Sequence, residues 1–348
     1  MRRRTLLTGL TSLAGTAALG PTALASATGD ALQQLEHVLL VPPSTGMPVG
    51  LPQLGHDLAT LRSAFDLGRY TDVAAELPSL LCDAMATRAA ANTGDDIAAT
   101  TALLAQIYVL ASTLTVKFAH DQLAWTTADR AMQAAHSSAD RLTQAAAHRA
   151  WAIVLRRTGH ADTGKRLILD TAASLLPDLH RGPQYLAVYG SLLSTAAYTA
   201  AVDGDRNTAH TLIGEAIDAA TRLDNNANSH RTGFGPTAVG LYRISIARVL
   251  GDSGTAIEAA RQINPATIAL AERRAQYWSD VARAFHQWGK PEQCYRALLA
   301  AEQTSPDEVR YRKQIQQITK SLLHDPAANA LTGLRAFARR TGTTSATT

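Results

Sequence analysis

"AVDGDRNTAHTLI", residues 201–213, carries the fold in miniature. An alanine-rich stretch ends at Gly204, an acid follows, and a small and an apolar residue stand five and nine places beyond the glycine. The same order recurs along the chain. Gly68, Gly159, Gly204, Gly251 and Gly289 are followed five places on by Val73, Gly164, Ala209, Ala256 and Cys294. Nine places on stand Leu77, Ile168, Ile213, Ala260 and Leu298. A sixth turn, "FAHDQLAW" (118–125), fits with Ala119 in the glycine place, then Ala124 and Ala128. The turns fall at intervals of 51, 40, 45, 47 and 38 residues.

Each part of the pattern has a physical role. The glycine ends one helix by adopting the left-handed backbone conformation. Asp205 or Asp252 caps the next helix, and Pro291 sits in a first turn, where its missing N–H costs nothing. The small residue marks the closest crossing of the two helices, and the apolar residue fills the neighbouring layer. One such hairpin cannot bury its own apolar flank, whereas a stack of them can. The pattern predicts an all-α fold, a tetratricopeptide-like solenoid of antiparallel helix hairpins over residues 31–324. A signal-like or linker segment, poorly ordered, is expected at 1–30, and a terminal helix with a disordered tail at 325–348. The competing reading is an irregular all-helical bundle.

Composition agrees with helices. Of 348 residues, 18% are charged and 5% aromatic, and alanine, which loses no side-chain entropy in a helix, is the commonest. The net charge of +4 is mild, and beyond Arg2, Arg3 and Arg4 the cations are scattered, so direct nucleic-acid binding is not expected. Cys82 and Cys294 have no metal-type spacing and read as buried free thiols. The opening residues have the form of an export signal: Arg2 to Arg4, an apolar run from Leu6 to Leu19, then Ala23-Leu24-Ala25 and Ala25-Ser26-Ala27 as cleavage-type motifs. That run is too short and too rich in Gly and Thr to span a membrane.

Four segments carry a resemblance. "RSAFDLGRYTDVAAELPSLL" (62–81), "LAWTTADRAMQAA" (123–135), "FGPTAVGLYRISIARVLGD" (234–252) and "ARAFHQWGKPEQCYRALLAAEQTSPDEVR" (282–310) resemble the tetratricopeptide region of actinobacterial helix-turn-helix regulators of the Cro/repressor type. The resemblance covers about residues 30 to 324, and "FGPTAVGLYRISIA" is its most specific part. It implies a sensor and oligomerisation module linked to transcription. The DNA-binding domain of that family has no counterpart in the pattern of this sequence. In such relatives a stretch like "RRRTLLTGL" lies between the two parts, which favours a cytoplasmic address. Export through a twin-arginine-type signal at residues 1–27 is the alternative.

No catalytic motif stands out. His120, His136, His148 and His160 are spaced by 16, 12 and 12 residues and read as scattered, not as metal ligands. No cofactor is expected. Asp95 and Asp96 read as a helix start, and Trp125, Trp151, Trp278 and Trp288 as packing residues. What can bind is the wall formed by the first helix of each hairpin. Counting back from each turn picks out Gln106, Thr113 and Lys117, then Arg149, Arg156 and Arg157. Tyr198 and Ser194, Arg248 and Ser245, and finally Gln276, Ser279, Arg283 and His286 follow. Six of these are cationic and none is acidic, which predicts a one-signed groove for a carboxylate-bearing segment. The long polar stretch 223–237 is a candidate binding loop.

The resulting expectation is a non-enzymatic regulatory sensor or adaptor that takes a peptide, small ligand or partner protein in a concave groove. A DNA-binding relative is one candidate partner, and pairing of two copies through bare terminal repeats is another. An exported binding protein and an all-helical enzyme with an unrecognised site are the alternatives.

Overall fold

A computed structural model describes residues 21–41, 46–223, 232–328 and 331–343. Among the described residues there are sixteen α-helices and no strand. Helix α1 (Pro21–Leu40) leads into six hairpins: α2 (Leu51–Asp66) with α3 (Tyr70–Ala90), α4 (Gly94–Lys117) with α5 (Asp121–Ser138), and α6 (Arg141–Arg157) with α7 (Ala161–Leu175). The next three are α8 (Pro183–Val202) with α9 (Arg206–Thr221), α10 (Pro236–Val249) with α11 (Ser253–Arg261), and α12 (Ala271–Gln287) with α13 (Pro291–Thr304). Short helices α14 (Pro306–Tyr311), α15 (Lys313–His324) and α16 (Leu334–Arg340) close the chain.

All six hairpin turns are built alike. The turn residue has positive φ at Gly68 (74°), Ala119 (56°), Gly159 (88°), Gly204 (78°), Gly251 (90°) and Gly289 (67°). The next residue donates its backbone N–H five residues back, from Arg69 to Ala64, His120 to Thr115, His160 to Leu155, Asp205 to Ala200, Asp252 to Ala247 and Lys290 to Phe285, at 2.8–3.0 Å. These bonds satisfy carbonyls that the helix end would leave bare. Val73, Ala124, Ala209, Ala256 and Cys294 are completely inaccessible to solvent, and Gly164 is buried. At Gly164 a Cβ would stand 2.9 Å from the Ala152 carbonyl oxygen, so α6 and α7 meet there at backbone contact. The apolar positions four residues further on are buried in all six hairpins.

The first helices of the hairpins pack on one another in chain order, from α2 through α4, α6, α8 and α10 to α12. The series then returns on itself, because α12 also packs against α2. Helix α14 locks this closure at the start of α3. Ser305 Oγ donates to the Gly68 carbonyl (2.7 Å), Thr71 donates through both N and Oγ1 to Asp307 (3.0 Å each), and Tyr70 Oη donates to Glu308 (2.9 Å).

Several expectations change. Helix α1 starts at Pro21, inside the segment expected to be poorly ordered, and Ala31, Leu35 and Leu39 bury against the first hairpins. Thr28 is buried beside Tyr311, 2.9 Å from its hydroxyl. The motif Ala25-Ser26-Ala27 lies within this helix, whereas residues 1–20 lie outside the described residues. At the other end Leu334, Phe337, Thr341 and Thr343 are buried, so the terminal stretch packs instead of trailing in solvent; residues 344–348 lie outside the described residues. The reason for pairing through a bare terminal face also falls away, since the two ends cover each other. Trp288 is 47% exposed beyond α12, not a packing residue, while Trp125 and Trp151 stack edge to face at 4.6 Å. Asp95 and Asp96 do start a helix: Thr93 Oγ1 accepts the Asp96 N–H. Helix α4 is long and apolar enough to cross a membrane by length and composition alone; here it packs against α3, α5 and α6.

Candidate functional site: a central double chamber

The inner helices surround two adjoining, partly open chambers, one of about 300 Å³ and one of about 180 Å³. Both are lined by Val116, Ile153, Tyr242, Gln276 and Arg312, so they lie side by side. Helical spacing explains which side chains face it. On α4, Gln106, Leu110, Thr113 and Lys117 recur at three- and four-residue steps, as do Arg149, Ile153 and Arg156 on α6 and Glu272, Gln276, Ser279 and Arg283 on α12.

Seven of the nine residues singled out from the sequence line these chambers: Gln106, Lys117, Arg149, Arg156, Tyr198, Gln276 and Arg283. Arg248 does not. It sits in the last turn of α10 and turns onto Asp280, with Nε 3.8 Å from Oδ1. His286 also lies elsewhere, because α15 covers that end of α12; its Nε2 is 3.1 Å from Ser321 Oγ. Of the candidate loop, 224–231 lies outside the described residues, while Thr232 and Gly233 line the larger chamber. Phe234 anchors the loop so tightly over Gly190 that a Cβ there would fall 2.0 Å from the ring.

The wall is not one-signed. Glu272 and Asp280 line it, and Glu308 stands just behind Lys117. Lys117 Nζ donates to Glu272 (2.6 Å) and Glu308 (3.1 Å), and lies 5.1 Å from the centre of the Tyr70 ring. Burial would raise the Glu272 carboxyl, but Lys117 and Arg273 overcome it and hold it down to about 2. Burial likewise opposes ionisation of Asp280, yet Arg283 and Arg248 keep its pKa below the ordinary value. Counting offsets from the turn glycine passed over Asp280, which lies between two of the positions counted, and stopped short of Glu272. Asp280 lies nine places before Gly289, and Glu272 lies one helical turn beyond the furthest position counted.

Two cations have no such partner. Arg149 donates to Thr195 Oγ1 (2.9 Å) and Tyr242 Oη (3.0 Å), and Arg156 donates to Thr199 Oγ1 (3.0 Å) while stacking 4.7 Å from the centre of the Tyr198 ring. Among the described residues no carboxylate lies within 4 Å of either guanidinium. Tyr242 was also missed, although it is nine places before Gly251. Burial would raise its phenol; Arg149 and Arg273 outweigh burial and bring it down to about 8.

Among the described residues no cluster of His, Cys, Asp and Glu could hold a metal ion. His148 is half-buried against Thr171 Oγ1 (2.7 Å), and burial lowers its pKa. Cys82 and Cys294 are buried free thiols, and burial pushes Cys294 up to about 12. No family model, curated protein or solved structure matches the chain.

Proposed function

We propose that the chain is a non-enzymatic regulatory sensor, a tetratricopeptide-like solenoid of helix hairpins curled far enough to close on itself and hold a small anionic ligand at its centre. The observation that carries this reading is the pair Arg149 and Arg156, two half-buried guanidiniums without a carboxylate partner facing the same partly open chambers. Chambers of about 300 and 180 Å³ suit a small molecule or the tip of a peptide better than an extended chain lying in an open groove. A binding role fits the acids as well. Glu272, held at about 2, is ionised and occupied by Lys117, so it is poorly matched to proton transfer near neutral pH.

The transcription-linked role rests on the resemblance of residues 234–252 and the other quoted segments to actinobacterial regulators. A partner carrying the DNA-binding part would read ligand occupancy through the closed ring. Two buried thiols fit a cytoplasmic address.

Retention of small molecules tests the reading. The protein is incubated with a cell metabolite extract, desalted and denatured, and the released compounds are identified by mass spectrometry. Ala146 lines the larger chamber, so Ala146→Trp fills it. The native chain should release an anionic compound that the filled variant, with unchanged circular dichroism, does not. Equal retention by both would place the ligand elsewhere.

A further inference from the structure

The geometry points to the smaller chamber as the seat of a phosphate monoester dianion, carried by a small molecule whose apolar body fills the larger chamber. The inference rests on the ligand-site reading above and adds the chemical class.

Charge bookkeeping in the smaller chamber sets the ligand's charge. Asp280 is the one carboxylate lining it among the described residues, and it is shared by Arg283 (3.1 Å) and Arg248 (3.8 Å) while accepting from Ser245 Oγ (2.6 Å). One negative charge therefore serves two guanidiniums. Arg156 adds a third cation with only a hydroxyl and a ring for company. Arg157 and Arg312 also line the chamber but pair with acids that do not line it, Asp121 (2.7 Å) and the buried Glu308 (2.6 Å), which Lys117 shares. Two positive charges are thus uncompensated among half-buried side chains, an arrangement that is costly without an anion. Burial lowers the pKa of both Arg156 and Arg283, as expected of cations short of counter-charge.

The donors match a tetrahedral oxyanion. Thr199 and the Tyr198 ring fix the plane of Arg156, leaving its other N–H groups to form a fork. Ser279 is 4% exposed and lines the chamber, and its hydroxyl has no hydrogen-bond partner among the described residues. Arg156, Arg283 and Ser279 can then each serve a different phosphate oxygen. In the larger chamber Phe65, Leu110, Ile153 and Val188 provide the apolar wall for the rest of the molecule.

Isothermal titration calorimetry at neutral pH with phenyl phosphate, its methyl diester and benzoate tests the assignment. Only the first carries two charges. Phenyl phosphate should bind at least about tenfold more tightly than the other two, the scale of one charge-assisted hydrogen bond. Arg156→Gln should erase that margin, and Ser279→Ala, a minimal change that keeps the fold, should weaken phenyl phosphate several-fold while sparing benzoate. Benzoate or the diester binding as well as phenyl phosphate would overturn the dianion seat yet leave the central cavity as a ligand site. So would phenyl phosphate affinity unaffected by Ser279→Ala and Arg156→Gln. Failure of all three probes to bind would also overturn the seat, and metabolite retention would then decide the broader reading by itself.

Discussion

Lys117 and Glu272 are 155 residues apart in sequence, yet the ammonium of one stands 2.6 Å from the carboxylate of the other. Lys117 ends the first helix of the second hairpin and Glu272 begins the first helix of the last, so this contact ties the ring shut. Glu308 and Tyr70 complete the clasp. Lys117→Met leaves two buried carboxylates with less counter-charge, and removing one partner of a buried pair typically costs about 3–5 kcal/mol. Urea denaturation should show a loss of that order. A loss below about 1 kcal/mol would mean the clasp does not hold the closure.

The acid side of the same contact has a pH signature. Glu272 is held at about 2 in the fold against an ordinary value of 4.5. A carboxyl depressed in this way adds stability above about pH 4.5 that is lost as pH falls towards 2. Glu272→Gln should destabilise the protein at neutral pH and flatten the decline of stability with acid across that window. Parallel stability–pH curves for the two proteins would contradict the assignment.

Tyr242 supplies an optical probe inside the larger chamber. Its phenol at about 8 lies below the ordinary value of 10, so one tyrosine should ionise near pH 8 in absorbance at 295 nm, and Tyr242→Phe should remove that step. The sign for stability follows: the ionised form is favoured in the fold, so Tyr242's contribution grows from about pH 8 to 10. An anion seated beside Arg149 should move the step upward. Titration of every accessible tyrosine near 10 would rule out the Arg149–Tyr242 arrangement.

The six turns were legible because a left-handed residue after a helix demands glycine, and glycine stands out in sequence. Even Ala119, without that cue, was found by register with the small residues that follow it. Closure of the ring was not legible. Tyr70, Lys117, Glu272 and Glu308 each look like surface residues of an amphipathic helix, and nothing local couples positions so far apart. The site was legible in part. Helical periodicity brought Arg149, Arg156, Gln276 and Arg283 to one wall, but counting residue types alone predicted a cationic groove and passed over Asp280 and Glu272. Arg248 and His286 fall off the wall because the side chain of one turns onto Asp280 and that of the other meets Ser321 of α15.

Ala119 and Gly204 make opposite predictions at equivalent turns. Ala119 has φ 56°, a conformation that costs an L-residue roughly 1–2 kcal/mol. Ala119→Gly should stabilise by about 0.5–1 kcal/mol once glycine's greater unfolded-state entropy is subtracted. Gly204 has φ 78° and open space around a Cβ, so Gly204→Ala should destabilise by about 1 kcal/mol through backbone strain alone. Thermal denaturation of both variants checks the pair; shifts of the same sign would mean that the two turns are not built alike.

The central claim is a ligand held inside a closed ring of hairpins. A crystal structure of the chain soaked with phenyl phosphate tests it most directly. The account predicts electron density for the probe between Arg156 and Ser279, with α12 packed on α2. Density for the probe only on the outer surface, or an open arrangement in which Lys117 and Glu272 stand apart, would contradict it.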